Sequence, residues 1–250
     1  MALITDLVSY YKLDTNATTQ PDSKGSNDGT VSGATYTASG KINGGYSFDG
    51  TNDRVSITGA ALKAISGSFS VSLWMKDDSS TEAFAHCIGR GTWQSGAWHI
   101  QRDPNDRSGS SGNSVRLLMF SSGINEVYAT TQVFGTGNWH HIVITYDSSD
   151  RGMEIYIDGS SEGTATKGDT FATSAYETRI GEQPDGNRDF KGYIDEVGIW
   201  TRVLTSAEVT SLYNSGSGLA YPFTTGWAGK IWGLTPTKIW GLTPAKIVGV

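Results

Sequence analysis

The sequence has little cysteine, proline or charge. Cys87 is the single cysteine among 250 residues, so an intrachain disulfide is excluded, and its apolar neighbours indicate an inert thiol buried in a strand. Only 6 prolines stand beside 32 glycines, a balance typical of short strands joined by tight turns. With 18% charged and 37% apolar residues, the composition is neither that of a disordered chain nor membrane-like.

Targeting and basic features are missing as well. Residues 1–6 have neither the basic start nor the apolar run of a secretory signal peptide. We therefore expect a chain that works where it is made or leaves the cell by another route, with a processed start as the alternative. No stretch approaches the roughly 20 apolar residues of a membrane span. The net charge of −6 argues against a basic face for phosphates, so neither membrane nor nucleic acid is an expected partner.

Apolar and polar residues alternate with period two in many short segments. The alternation places Phe69, Val71, Leu73 and Met75 on one face, and it should point Trp98 into the core. Repeated with turn residues between the segments, this pattern predicts an all-β chain folded as an antiparallel sandwich or barrel. The predicted strands are 7–13, 45–50, 54–57, 69–75, 97–101, 115–120, 139–146, 153–157, 178–181 and 190–200.

One short helix is expected after the last strand. Thr205 and Glu208 have the spacing of a capping box, in which each side chain binds the backbone N–H of the other. Val209, Leu212 and Tyr213 then fall on one helical face. The helix should therefore pack on the sandwich.

A Ser- and Gly-rich stretch at residues 215–218 marks the boundary between a folded domain, 1–218, and a C-terminal tail, 219–250. The tail repeats with a period of eight: KIWGLTPT is followed by KIWGLTPA and by the partial copy KIVGV. Proline in each full unit excludes a continuous helix or strand, and so short a unit does not fold alone. We expect it to pack on the sandwich, on sister chains or on a partner protein through Lys230, Ile231, Trp232, Leu234, Lys238, Ile239, Trp240, Leu242 and Ile247.

Three segments carry a family resemblance. Residues 43–55 read NGGYSFDGTNDRV, residues 139–147 read WHHIVITYD and are followed by EIYIDG, and residues 192–200 read GYIDEVGIW. In this order and spacing they resemble motifs of the laminin-G-like, concanavalin-A-like lectin superfamily. The resemblance covers roughly residues 5–220. It implies a jelly roll of two antiparallel sheets in a superfamily where many members bind glycans and some bind proteins.

The resemblance also implies a structural calcium ion, because related domains often hold one. Calcium takes roughly six to eight oxygen ligands. The loop DSKGSNDG at residues 22–29 is similar to the family's D-x-S-G-N-x-x-x-G loop, although it has one extra residue before the glycine. Asp22, Asn27 and Asp195 are the candidate ligands. The alternative is a set of Asx turns without an ion.

No enzyme is expected. Glycosidases of the superfamily place a pair of carboxylates across one bond, about 5–10 Å apart, and the sequence has no such cluster. Asp195 and Glu196 are adjacent and should therefore point to opposite faces of a strand. A Gly-x-Ser-x-Gly elbow is also missing.

The candidate ligand residues lie in one loop region. Sugar sites combine an aromatic platform with a few amides and charges. Residues 90–106 offer such groups, and residues 183–188 form a second candidate loop; both have a plain solvated turn as the alternative. The candidate residues of the first loop are Trp93, Gln94, Gln101, Arg102, Asp103 and Asn105.

The tail is similar to repeats that end some bacteriophage structural proteins, which also carry laminin-G-like domains. The leading hypothesis is therefore a non-catalytic virion surface or appendage protein, assembled in the host cytoplasm. Its lectin-like domain would bind a glycan or cell-surface receptor, and its tail would bind other virion proteins or sister chains in an oligomer. The alternative is a secreted or cell-surface carbohydrate-binding module of a bacterial polysaccharide-acting system, and a glycosidase is the third hypothesis.

Overall fold

The computed structural model describes residues 2–78, 82–105, 112–121, 123–168 and 170–223. It has sixteen strands in these ranges: β1 (Leu7–Tyr11), β2 (Thr19–Gln20), β3 (Gly29–Ser32), β4 (Thr35–Thr37), β5 (Gly45–Asp49), β6 (Arg54–Ile57), β7 (Phe69–Asp77), β8 (His86–Arg90), β9 (Trp98–Asp103), β10 (Ser114–Phe120), β11 (Ile124–Tyr128), β12 (Trp139–Tyr146), β13 (Gly152–Ile157), β14 (Ser160–Thr166), β15 (Thr178–Ile180) and β16 (Lys191–Trp200). The helices described are α1 (Ala60–Lys63), α2 (Ser206–Tyr213) and a 3₁₀ turn (Asn214–Gly216).

The strands form two sheets whose neighbours are all antiparallel. Sheet A has the order β14-β13-β12-β7-β16-β5-β4, with β1 beside β16. Sheet B has the order β11-β10-β9-β8-β15-β6-β3-β2. The two sheets pack face to face as a sandwich, which confirms the predicted all-β jelly roll of two antiparallel sheets.

The core lies between the sheets because the strands turn alternate apolar side chains to the same side. On β7, Phe69, Val71 and Leu73 are fully buried, as the alternation predicts. Trp98 of β9 faces them from sheet B, with its ring centroid 5.6 Å from that of Phe69. Cys87 is also buried, and burial raises the pKa of its thiol, so the predicted inert core cysteine is confirmed.

Several elements of the structure are not predicted by the sequence pattern, and each has a physical reason. Strands β2, β3 and β4 are 2, 4 and 3 residues long, too short for an alternation to stand out. Strand β14 is an edge strand with the sequence SSEGTAT, and most of its side chains face solvent. Helix α1 is a single turn. No helix within the described ranges is long and apolar enough to cross a bilayer.

A second apolar cluster covers the outer face of sheet A. Helix α2 begins with the predicted capping box of Thr205 and Glu208 and ends at Asn214, whose φ is +48°. The helix buries Val209 and Leu212 against this face, as its sequence pattern predicts. This packing gives sheet A two buried faces.

Both ends of the described chain meet on this outer face of sheet A. The Trp200 indole Nε1 donates to the carbonyl of Leu3 at 2.7 Å, and the Phe223 ring stacks on the Trp200 ring with centroids 6.2 Å apart. The Tyr221 ring lies 5.7 Å from that of Tyr10. The first residues of the predicted tail, 219–223, therefore pack on the sandwich. The predicted tail contacts lie outside the described residues: Lys230, Ile231, Trp232, Leu234, Lys238, Ile239, Trp240, Leu242 and Ile247.

Candidate ligand-binding site

Trp93 lies over the outer face of sheet B, in the turn that joins β8 to β9. Its side chain is 46% exposed. The ring meets Phe120 edge-on, with centroids 5.3 Å apart, and lies tilted against His99 at 6.1 Å. Alternation along β9 and β10 turns His99 and Phe120 away from the core. These two rings therefore support Trp93 from below while part of its surface stays open to solvent.

The second candidate loop meets the first at this point. The guanidinium carbon of Arg188 lies 4.3 Å from the ring centroid of Trp93 and 4.6 Å from that of Phe84. The guanidinium carbon of Arg116 lies 4.7 Å from the Phe84 centroid. We call Trp93, Phe84, Arg116 and Arg188 the aromatic–arginine cluster. Such cation–π contacts stabilise a fixed arrangement of rings and charges.

Arg90 binds the backbone at the base of the loop formed by residues 91–97, which we call the Trp93 loop. The Arg90 side chain is fully buried, and no carboxylate in the described ranges pairs with it. Burial lowers its pKa to about 10. Its guanidinium instead donates to backbone carbonyls from three segments: Gly96 at 2.9 and 2.6 Å, Leu62 at 2.7 Å, Lys63 at 3.2 Å, Ile65 at 2.9 Å and Ala172 at 3.0 Å.

Gly96 can lie close to the segment before β15 because it has no side chain. Its φ is +83°, in the left-handed region that favours glycine. A Cβ at this position would overlap the carbonyl oxygens of Ala172 and Thr173. The loop therefore closes tightly against the segment before β15.

A pair of buried histidines holds the other side of the loop. His99 Nε2 lies 2.8 Å from the carbonyl of Thr92, and His99 Nδ1 lies 3.0 Å from His86 Nε2. A carbonyl only accepts, so His99 carries its proton on Nε2 and accepts from His86 Nε2–H. His86 Nδ1 is then a bare acceptor, and it has no partner. Burial lowers the pKa of both imidazoles, that of His99 to about 4, so both stay neutral.

Unpaired polar atoms gather around this face. Buried polar atoms are nearly always hydrogen-bonded in folded proteins, so exceptions call for a physical explanation. Arg188 Nη1, Gln94 Nε2, Gln183 Oε1 and His86 Nδ1 are buried and lack a hydrogen-bond partner. All four belong to the two candidate loops or to the strand beneath them. His86 and Gln183 are fully buried beneath the face, whereas Gln94 and Arg188 are half-buried at its surface.

The structure divides the predicted ligand residues into two groups. Trp93 and Gln94 belong to the face just described. Gln101 and Asp103 are buried instead. With its amide oriented so that the oxygen faces Arg116, Gln101 accepts from that side chain at 2.5 and 3.1 Å. Asp103 Oδ1 accepts from the backbone N–H of Asn105 at 3.2 Å.

Arg102 has backbone and amide partners in the connection between β9 and β10. Its Nε donates to the carbonyl of Gly112 at 2.9 Å, and its Nη2 donates to Asn113 Oδ1 at 2.6 Å. Of the six predicted residues, Trp93 and Asn105 are exposed. Sequence reasoning missed Phe84, Arg116 and the two histidines. Alternation along β9 was the available signal, since it places His99 on the same face as Gln101.

The two carboxylates among the predicted calcium ligands accept hydrogen bonds from backbone N–H groups. Asp22 Oδ1 accepts from the backbone of Tyr10 at 3.0 Å and of Lys24 at 3.1 Å, and its Oδ2 accepts from the backbone of Asn27 at 3.1 Å. Asp195 accepts from the backbone of residues 41, 42 and 196 at 2.8 to 3.0 Å. No group of three or more His, Cys, Asp or Glu side chains suited to a metal occurs in the described ranges. A calcium ion held by Asp22, Asn27 and Asp195 stays a prediction.

Family models and relatives agree with this architecture. The laminin-G-type model described as the concanavalin A-like lectin/glucanases superfamily matches residues 15–210. The chain belongs to this superfamily. Similarity to curated relatives is more distant: 28% identity over 156 residues to adhesion G-protein coupled receptor V1 of Danio rerio, and 27% over 163 residues to neuronal pentraxin-2 of Cavia porcellus. These matches cover 60% and 61% of the chain but only 2% and 35% of the relatives.

Solved structures share the fold of this superfamily member. Domain 4 of AbnA, an extracellular arabinanase of Geobacillus stearothermophilus solved with arabinotriose, superposes with a TM-score of 0.65 at 23% identity, over 82% of this chain and 96% of that one. The binding domain of Paraclostridial Mosquitocidal Protein 1 gives 0.68 at 16% identity, over 86% and 53%. The binding domain of Botulinum Neurotoxin DC, solved with SialylT, gives 0.65 at 14%, over 85% and 52%. The chain thus has the fold of lectin-like carbohydrate- and receptor-binding domains.

In mild acid the histidine pair should make a destabilising contribution to the free energy of unfolding. An unfolded histidine titrates near pH 6.5, whereas the folded pKa of His99 is about 4. Between these values His99 is protonated in the unfolded chain but neutral in the folded chain. Its contribution to stability is therefore complete above about pH 6.5 and is lost as the pH falls. We expect His99→Gln to flatten the slope of unfolding free energy against pH in this window by about 1.4 kcal/mol per pH unit. Urea unfolding at several pH values measures it.

The pH effects of two other buried groups cancel when the slope of the variant is compared with that of the wild type. Burial raises the pKa of Asp195 to about 8 and that of Glu196 to about 7, which favours the folded state at lower pH and opposes the histidine effect. Both carboxyl groups are present in the wild type and in the variant, so the difference between the two slopes reports the histidine. Equal slopes would show that the pair contributes no pH dependence.

Proposed function

We propose that the chain is a non-catalytic binding module whose ligand is a glycan, bound on the outer face of sheet B around Trp93. The exposed Trp93 ring on a firmly anchored loop is the observation that carries this proposal. Aromatic rings bind the apolar face of a sugar, and the neighbouring unpaired polar atoms of Gln94 and Arg188 can bind its oxygens. Because the loop is already ordered, little conformational entropy is lost on binding.

The position of the chain ends supports a display role. Ala2–Leu3 and Phe223 lie on the outer face of sheet A, whereas Trp93 lies on the outer face of sheet B. The two faces are on opposite sides of the sandwich. A body attached through residue 224 onward therefore leaves the Trp93 face pointing away from the attachment.

We further propose that the repeats at residues 230–250 attach this domain to a larger assembly, with a phage virion surface or appendage as the leading setting. The near-identity of successive units with Ile, Trp, Leu and Lys favours a repeated contact over a single fold. The second candidate is a carbohydrate-binding module of a polysaccharide-acting system. The match over nearly the whole length of an arabinanase domain favours that setting. Both settings use the same ligand face.

A glycan array probed with the full chain tests the ligand face. We expect binding to at least one glycan, and we expect Trp93→Ala to weaken it about thirtyfold, equivalent to about 2 kcal/mol, because the stacking surface is lost. Tyr176→Ala is the matched control, since Tyr176 is a 51% exposed aromatic residue and the rings that support Trp93 are those of His99 and Phe120. It should leave affinity unchanged. Binding that survives Trp93→Ala would place the site elsewhere, and a complete absence of glycan binding would contradict the proposed function.

Size exclusion with light scattering tests the attachment role. We expect the full chain to be oligomeric and a chain ending at Phe223 to be a monomer that melts at the same temperature. A chain ending at Gly218 should melt lower, because removing Tyr221 and Phe223 exposes the rings of Tyr10 and Trp200. A monomeric full chain would contradict self-association through the tail and would favour the carbohydrate-module setting.

A further inference from the structure

Arg188 differs from the other arginines on the outer face of sheet B. Arg54 pairs with Glu182 at 3.6 Å, Arg116 pairs with Glu126 at 3.3 Å, and Arg179 pairs with Glu177 and Glu182 at 2.6 Å each. The Arg188 guanidinium forms no ion pair or hydrogen bond with any side chain in the described part of the protein, and its Nη1 is buried without a partner. An unpaired buried donor is costly, so this arrangement suits a group that arrives from outside.

The acidic residues near Arg188 have other partners. Asp185 Oδ2 accepts from Gln183 Nε2 at 3.1 Å, and its Oδ1 accepts from the backbone of Asn187 at 3.2 Å. Glu82 Oε1 accepts from the backbone of Phe84 at 3.2 Å. Both carboxylates counter the effect of burial on the Arg188 pKa. They keep the guanidinium charged without occupying its N–H groups.

The guanidinium is also held in place. It lies between the rings of Trp93 and Phe84, with the distances given above. A planar guanidinium fixed between two rings loses little freedom when it binds. Its fork of N–H groups matches the two oxygens of a carboxylate.

We propose that this face selects glycans that carry a carboxylate, as uronic and sialic acids do, with Arg188 binding the carboxylate while Trp93 stacks on the sugar ring. The inference deepens the proposed function and rests on it. Gln94 Nε2, a second unpaired donor on the Trp93 loop, binds a neighbouring sugar oxygen. Neutral sugars lack the charge-assisted contact between a carboxylate and Arg188.

Matched pairs of probes test the carboxylate directly. The first pair is trigalacturonic acid and its methyl ester, and the second is sialyllactose and lactose. Each is titrated calorimetrically into the full chain at constant ionic strength. We expect at least one acidic probe to bind about tenfold or more tightly than its neutral partner, as a charge-assisted bidentate contact implies.

Variants then assign the preference to Arg188. Arg188→Gln should remove it, so that the acidic probe binds no more tightly than its neutral partner. Arg188→Lys keeps the charge but not the fork and should reduce the preference. Arg54→Gln is the matched control: it removes the same charge from the same face, yet its guanidinium pairs with Glu182, so the preference should persist. Thermal melting checks that each variant folds, and Arg188→Lys carries the test if Arg188→Gln does not.

The outcomes separate the two proposals. Equal affinity for acidic and neutral partners, or a preference that persists in both Arg188 variants, overturns the carboxylate inference and leaves the glycan-binding function standing. A lack of binding to every probe and to every glycan of the array overturns both. A preference lost in the Arg188 variants and kept in Arg54→Gln supports the inference.

Discussion

The buried guanidinium of Arg90 is the interaction on which the ligand-binding face depends. Removing an arginine from water costs several kcal/mol unless its donors are satisfied. Here backbone carbonyls from α1, the Trp93 loop and the segment before β15 satisfy them. The carbonyls of Gly96 and Leu62 belong to buried residues and gain a charged donor in this way. One side chain thus joins three segments that are distant in sequence, and the loop that carries Trp93 is one of them.

The same face shows how the sandwich divides its two outer surfaces. The outer face of sheet A is apolar and is sealed by α2 and by both chain ends, so it stabilises the domain. The outer face of sheet B carries imidazole, amide and guanidinium groups under two loops. Hydrogen bonds to the loop backbone, such as His99 to Thr92, and the contact of Phe120 with Trp93 hold the loop on this face. This face can therefore keep unpaired polar atoms for a ligand, although each one costs stability.

The sequence predicts those features that depend on local periodicity. Alternation along β7 predicts that Phe69 faces the core, and the spacing of Thr205 and Glu208 predicts where α2 begins. The candidate site was predicted only in part. Trp93 and Gln94 follow from composition, but Arg188 reaches Trp93 because β15 pairs with β8 and brings the 183–188 loop beside the Trp93 loop. No local pattern encodes that pairing.

Burial explains the other differences at the site. Gln101 and Asp103 have the chemistry of ligand residues, yet both are buried on β9, and Gln101 bonds Arg116 on the neighbouring strand. Asp22 has the chemistry of a calcium ligand, yet its oxygens accept from the N–H groups of its own turn and of Tyr10. Residue type alone does not separate these roles. Burial and the donors that already surround each side chain decide between them.

The most direct test of the ligand face is NMR of the tryptophan indole N–H groups during titration with the strongest glycan found on the array. The chain has 8 tryptophans, and single substitutions assign their signals. We expect the Trp93 signal to shift most and in proportion to occupancy, while those of Trp74 and Trp200 on the outer face of sheet A stay in place. A shift confined to the tryptophans of sheet A would contradict this expectation, because the ligand would then bind on the opposite side of the sandwich.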